Sequence, residues 1–259
     1  MILFSAACAE ERRSDQPGCA LGLEDYPVAI ALHRRLLRTE PNNALAHYHL
    51  GFACGITGHV SQEINQYSAP IKLGLIRWEL FSNLGVAYLS LREYAKAAAA
   101  LETAVWLEPE RAQTHFNLAI AYERCGRLTK ALQQIEPSRR LAPEDPDVEN
   151  MNTIACAGLG DFVCARDLWT QLVRVTPSFA PARANLMMLG GASQANGQLK
   201  QPSVLSRAPG PVIRNYVGAH QVSDGTQPVA DIPDRSDFKA DRPVLPDGPT
   251  ASPDDRYGN

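Results

Sequence analysis

The chain has 259 residues, a formal net charge of −3, and 45% hydrophobic against 20% charged residues. That balance is ordinary for a globular chain and lays down no basic stripe of the kind that neutralises nucleic-acid phosphates. No apolar run reaches the ~18–20 residues that a membrane-crossing helix needs, because Arg, Glu, Lys or His interrupts every hydrophobic stretch.

Residues 1–24 read as an irregular segment or a partial first helix over Ile2–Arg13, followed by an insert through Asp15, Gln16, Pro17 and Gly18. Ser5, Ala6 and Ala7 before Cys8 are similar to the small residues of a bacterial lipoprotein cleavage site. The basic start and the apolar core of ~7–15 residues that such a signal uses are missing, and Ser5 stands where Leu is favoured. Asp25, Tyr26, Ala29, Leu36 and Pro41 then read as the second half of a helix pair.

From there the chain repeats. Pro41, Leu75, Pro109, Pro143 and Pro177 follow at a step of 34 residues, as do the small residues Gly51, Gly85, Ala119 and Thr153, and the series Ala29, Glu63, Ala97, Ala131 and Ala165. The spacing predicts first helices over about 44–57, 78–91, 112–125 and 146–159, and second helices over about 60–73, 94–107, 128–141 and 162–175. Small residues at fixed places on both helices let the two backbones approach, and each proline ends a pair because it cannot continue a helix. Glu63, Pro70 and Leu75 depart from the pattern and predict a bent or short helix over 60–73. Pro137 predicts a kink in 128–141, and Glu149 and Asn152 stand where apolar residues are expected. Ala180–Leu189 reads as an extra helix covering the last open face. Residues 191–259 are rich in Pro, Asp and Gly and poor in large apolar residues, so they are expected to be disordered, save for a one-turn motif at Val212, Ile213, Tyr216 and Val217.

The copy over 78–111 presents Phe81, Leu84, Gly85, Tyr88, Ala97, Leu101 and Pro109. The next presents His115, Leu118, Ala119, Tyr122, Ala131, Ile135 and Pro143. On these residues the chain resembles the tetratricopeptide-repeat family over about residues 25–190. The resemblance implies an all-α fold: a right-handed superhelical α-solenoid of antiparallel helix pairs, with about four full repeats, a partial N-terminal repeat and a C-terminal capping helix. It also implies a concave groove lined by the first helices, where Leu45, Tyr48, Phe52, Ile56, Val86, Leu89, Phe116, Ile120 and Ile154 would contact a partner, edged by Glu79, Glu123 and Asp147. Family members that clamp a terminal carboxylate use Lys, Arg and Asn there. This chain has no Lys or Arg at those positions, so that activity is not implied.

Nothing else in the sequence points to chemistry. His47 and His49 alternate along a helix and point to different sides, so they cannot share a metal without further ligands. His47 and His115 stand at the wedge position of the repeat and read as packed, hydrogen-bonded histidines. Gly158, Leu159 and Gly160 form a helix-helix turn and lack the rest of a phosphate loop. The six cysteines show no CxxC and no metal-ligand spacing, and read as reduced thiols, with Cys156 and Cys164 flanking one turn. The expected function is therefore an adaptor or scaffold that binds another protein or peptide segment, without catalytic residues, cofactor, metal or nucleic acid, in the cytoplasm. The alternative is an envelope-anchored assembly factor of the pilus-pilotin kind, lipidated at Cys8.

Overall fold

The computed structural model describes residues 25–193, and the segments over 1–24 and 194–259, with the motif at Val212–Val217, lie outside them. The described residues form ten helices: α1 Tyr26–Thr39, α2 Ala44–Ile56, α3 Val60–Lys72, α4 Trp78–Ser90, α5 Tyr94–Leu107, α6 Ala112–Arg124, α7 Leu128–Leu141, α8 Pro146–Gly158, α9 Phe162–Val175 and α10 Ala180–Ser193. Each boundary expected from the period lies within two residues of the observed one, except that the last helix runs to Ser193. Local chemistry sets the ends. Asp25, Asn43 and Asp161 cap the N-termini of α1, α2 and α9 by accepting the amides of Val28, Ala46 and Cys164. Between the paired helices the backbone takes a positive φ once per repeat, at Gly58 (81°), Arg92 (61°), Gly126 (71°) and Gly160 (92°). Arg92 alone of these carries a Cβ, which the left-handed region penalises by ~1–2 kcal/mol.

The chain divides into two compact units at Arg92. In the first, α2 packs on α1 and α3, and α3 on α4. Its core is aromatic: Tyr48 stacks on Tyr67 with ring centroids 5.9 Å apart, and Tyr26 meets Phe52 edge-on at 6.3 Å. Close approach of α3 to α2 depends on two glycines. A Cβ on Gly51 would lie 2.6 Å from the Tyr67 ring, and one on Gly55 2.6 Å from the Glu63 carboxyl carbon. Glu63, a departure from the small-residue series, is fully buried. The room its longer side chain takes is the room that Gly55 leaves.

Pro70 lies inside α3 and the helix continues to Lys72, one residue short of the predicted end. Gly74, at φ 83°, stands just beyond its Leu73 C-cap.

In the second unit, α6 packs on α5 and α7, α8 on α7 and α9, and α10 on α9. Pro137 lies within α7, which remains a continuous helix. Gly158 lets α8 approach α7, where a Cβ would stand 2.7 Å from Leu128 Cδ1. Arg139 of α7 reaches the Glu149 carboxylate of α8 at 3.8 Å, a solvated pairing that makes this departure tolerable. Trp169, Phe162, Ala165 and Leu172 form one core with Ala182 and Leu189 of α10, so the last helix covers α9 as expected.

Candidate functional site

Side chains on the face expected to meet a partner follow from the position of each residue along the first helix of a pair. In the first unit Leu45 and Glu79 occupy equivalent places and both are half-buried; Ile56, at the far end of α2, is 40% exposed. Tyr48, Phe52, Val86 and Leu89 are buried. In the second unit Gln113, Glu123, Asp147 and Ile154 are half-buried, while Phe116 and Ile120 are buried. Phe116 has no exposed surface, which corrects its reading as a groove residue that contacts a partner: it is a core residue, and its contribution is to folding. The same holds for Tyr48, whose hydroxyl is pushed above its usual range mainly by burial and then by the Glu79 charge. The side chains that keep surface are those at the rim: Leu45, Ile56 and Glu79 on the first unit, and Gln113, Glu123, Asp147 and Ile154 on the second.

The rim is acidic where it is charged. Glu123 sits 3.2 Å from the Arg124 guanidinium Nε, yet burial still raises its carboxyl pKa, so desolvation outweighs that neighbour. Tyr122 donates its hydroxyl to Glu102 of α5, tying α6 to α5 behind this rim.

Two polar clusters were not foreseen. In the first unit the His33 and His49 rings meet edge to face at 5.3 Å and 85°, and the Nδ1 of His33 bonds the Ala29 carbonyl at 2.8 Å. Burial lowers both pKa values. That of His49 falls to about 3, with His33 and Arg77 adding to the effect. In the second unit the Asn150 carbonyl oxygen of α8 accepts both the Trp169 indole N–H, at 2.9 Å, and the Asn185 amide of α10, at 3.0 Å. The signal was available: His49, Asn83, Asn117 and Asn185 all fall on one series of the repeat step, and a polar residue recurring on a buried face asks for a partner. His47 and His115 behave as read. Each ring bridges a glutamine on the second helix (Gln66 or Gln134, both 2.8 Å) and a preceding prolyl carbonyl (Pro41 at 3.0 Å, Pro109 at 2.8 Å). Among the described residues no three His, Cys, Asp or Glu side chains are grouped to hold a metal, and no helix is long and apolar enough to cross a membrane.

A tetratricopeptide-repeat family model matches residues 82–146. Those residues are tetratricopeptide repeats. Solved structures of this repeat class match well beyond that segment. YrrB, described as a tetratricopeptide-repeat protein with an unusual peptide-binding site, is 19% identical with a TM-score of 0.62, covering 70% of this chain and 95% of its own. A crystal structure of MamA protein is 22% identical with a TM-score of 0.57, covering 62% and 87%. MamA 41-end from Desulfovibrio magneticus RS-1 is 20% identical with a TM-score of 0.58, covering 63% and 93%. At such identities the tetratricopeptide likeness is one of fold. No curated protein matches by sequence. The described tetratricopeptide helices are all-α and packed in sequential antiparallel pairs, as in those structures.

Proposed function

We propose that this tetratricopeptide-repeat chain is an adaptor that binds a peptide or helical segment of another protein through the rim of its first helices, by contact rather than by catalysis. Repeat proteins of this class generally mediate protein-protein interactions, and the similar YrrB structure is described by its peptide-binding site. The observation that carries the reading is the recurrence of half-exposed side chains at one position of successive first helices, beside buried aromatic residues that hold those helices rigid. On the first unit such a rim can take an apolar anchor at Leu45 or Ile56 and a basic residue of the partner at Glu79, and on the second an apolar anchor at Ile154 and a basic residue at Glu123 or Asp147. Apolar anchoring tolerates salt, whereas an acid-dominated contact weakens as ionic strength rises.

Selection of a phage-displayed peptide library on the immobilised full chain tests this. The expected result is an enriched peptide whose binding falls at least tenfold on Ile154→Asp or Leu45→Asp, with unchanged helical content. Failure to enrich any peptide, or enriched peptides indifferent to both substitutions, would overturn it. A titration from low to high salt then separates apolar from acidic anchoring.

A further inference from the structure

The turn between α8 and α9 holds two thiols together. Gly158, Leu159 and Gly160 reverse the chain, with Gly160 at φ 92° and its amide on the Ala157 carbonyl at 3.0 Å. Asp161 then fixes both sides of the turn: its amide donates to the Cys156 carbonyl at 3.1 Å, and its side chain accepts the Cys164 amide at 3.0 Å. Cys156 and Cys164 flank this turn, both half-buried and both free thiols, and Cys164 lies near enough to add to the rise that burial gives the Cys156 pKa.

The juxtaposition belongs to the repeat and not to one accident of packing. Stepping back by one repeat, Tyr122 and Lys130 occupy the same two places, and the Lys130 ammonium lies 5.4 Å from the Tyr122 ring centroid. In the first full repeat the places hold Cys54 and Gln62, where the Cys54 sulfur is 3.9 Å from the Gln62 amide oxygen. The backbone thus brings the side chains at these two places together in two other repeats, and of the three pairs only 156 and 164 both carry sulfur.

We propose that Cys156 and Cys164 form a dithiol that a two-electron oxidant closes into an intramolecular disulfide across the α8–α9 turn. With hydrogen peroxide, a thiolate of the pair displaces hydroxide from the peroxide to give a sulfenic acid. The second thiolate attacks that sulfur and the S–O bond breaks, so two thiols and one peroxide become one disulfide and two waters. With diamide the two electrons and two protons pass to the azo bond and leave a hydrazine. Closure asks the sulfurs to approach to the ~2.05 Å of a disulfide, a movement that rotation about the Cα–Cβ bonds begins. The product ties the two helices of one pair at their shared end, so it acts on the separation of α8 from α9. Cys54 is fully buried, with an amide and no second thiol in contact, and Cys125 is half-buried, so neither shares this arrangement among the described residues.

Both cysteines fall in one tryptic peptide, residues 141–166, which makes the test direct. The folded full chain is treated with diamide or peroxide, alkylated and digested. The expected result is a peptide lighter by two hydrogen atoms, with no alkylation, no backbone fragments between 156 and 164, and full recovery of two alkylated cysteines after dithiothreitol. Dimedone should trap a sulfenic acid at the remaining cysteine in Cys156→Ser or Cys164→Ser and little in the parent chain, because the partner thiol resolves it. Two alkylated thiols in this peptide while Cys125 is consumed, or dimedone adducts accumulating on the parent pair, would overturn the proposal.

Discussion

Gly51→Ala perturbs one of the two close approaches of α3 to α2 in the first unit. The added methyl would stand 2.6 and 2.8 Å from two carbons of the Tyr67 ring and 3.3 Å from Gln66 Cβ, against the ~3.5–4.0 Å of an ordinary carbon contact. The ring must therefore yield by about 1 Å. It has no free volume to do so, being fully buried and stacked on Tyr48. Overpacking of this kind costs ~1–3 kcal/mol, and the upper half of that range applies because an immobile ring and not a flexible chain end is met. Alanine returns ~1 kcal/mol through helix propensity, so the net loss is about 1–2 kcal/mol. Gly190→Ala supplies the control: Gly190 is an exposed helical glycine with nothing within 4 Å of a built Cβ, so only the propensity gain remains. Repeat arrays need not unfold in one step, so native-state hydrogen exchange along α2 and α3 is the suitable readout, supported by urea titration. A Gly51→Ala chain as well protected along α2 and α3 as the parent would refute the packing argument, because propensity alone would then account for it.

Arg92→Gly should stabilise the chain by about 0.5–1 kcal/mol, read as a raised urea midpoint, since it relieves the positive-φ cost at the one such turn position without glycine. Phe116→Ala should cost about 3–5 kcal/mol by truncating a fully buried ring; a near-parental melting temperature would return Phe116 to the surface. Stability should fall as pH drops below the ordinary histidine value of ~6.5, because the unfolded chain then takes up a proton that the folded His49, at about 3, refuses. The loss from His49 reaches at most about 2 kcal/mol at pH 5, and His33 adds in the same direction. His49→Asn, which installs the residue found at the equivalent places 83, 117 and 185, should flatten that part of the pH profile; an unchanged slope would put the effect elsewhere.

Helix ends, turns and the order of elements were legible in the sequence because they are set locally. A repeated spacing of small residues, a capping Asp or Asn, and a proline that refuses to continue a helix each act within a few residues of the point they decide. The repeat step carried those signals from one pair to the next, and even the departures kept their register. Which groove-position side chains would remain accessible was decided only in three dimensions. Tyr48 and Phe116 share a place on their helices with Ser82 and Asn150, and nothing in the 34-residue step tells that all four are buried. Burial depends on neighbouring helices that are distant in sequence. Glu63 shows the same division: read along the chain it breaks a series of alanines, whereas in the fold it fills the space above Gly55, a glycine whose meaning appears only when α2 lies against α3. The contact between Cys156 and Cys164 joins both levels. The sequence places the two cysteines on either side of one turn, and the packing of α8 against α9 sets them at neighbouring places on the paired helices.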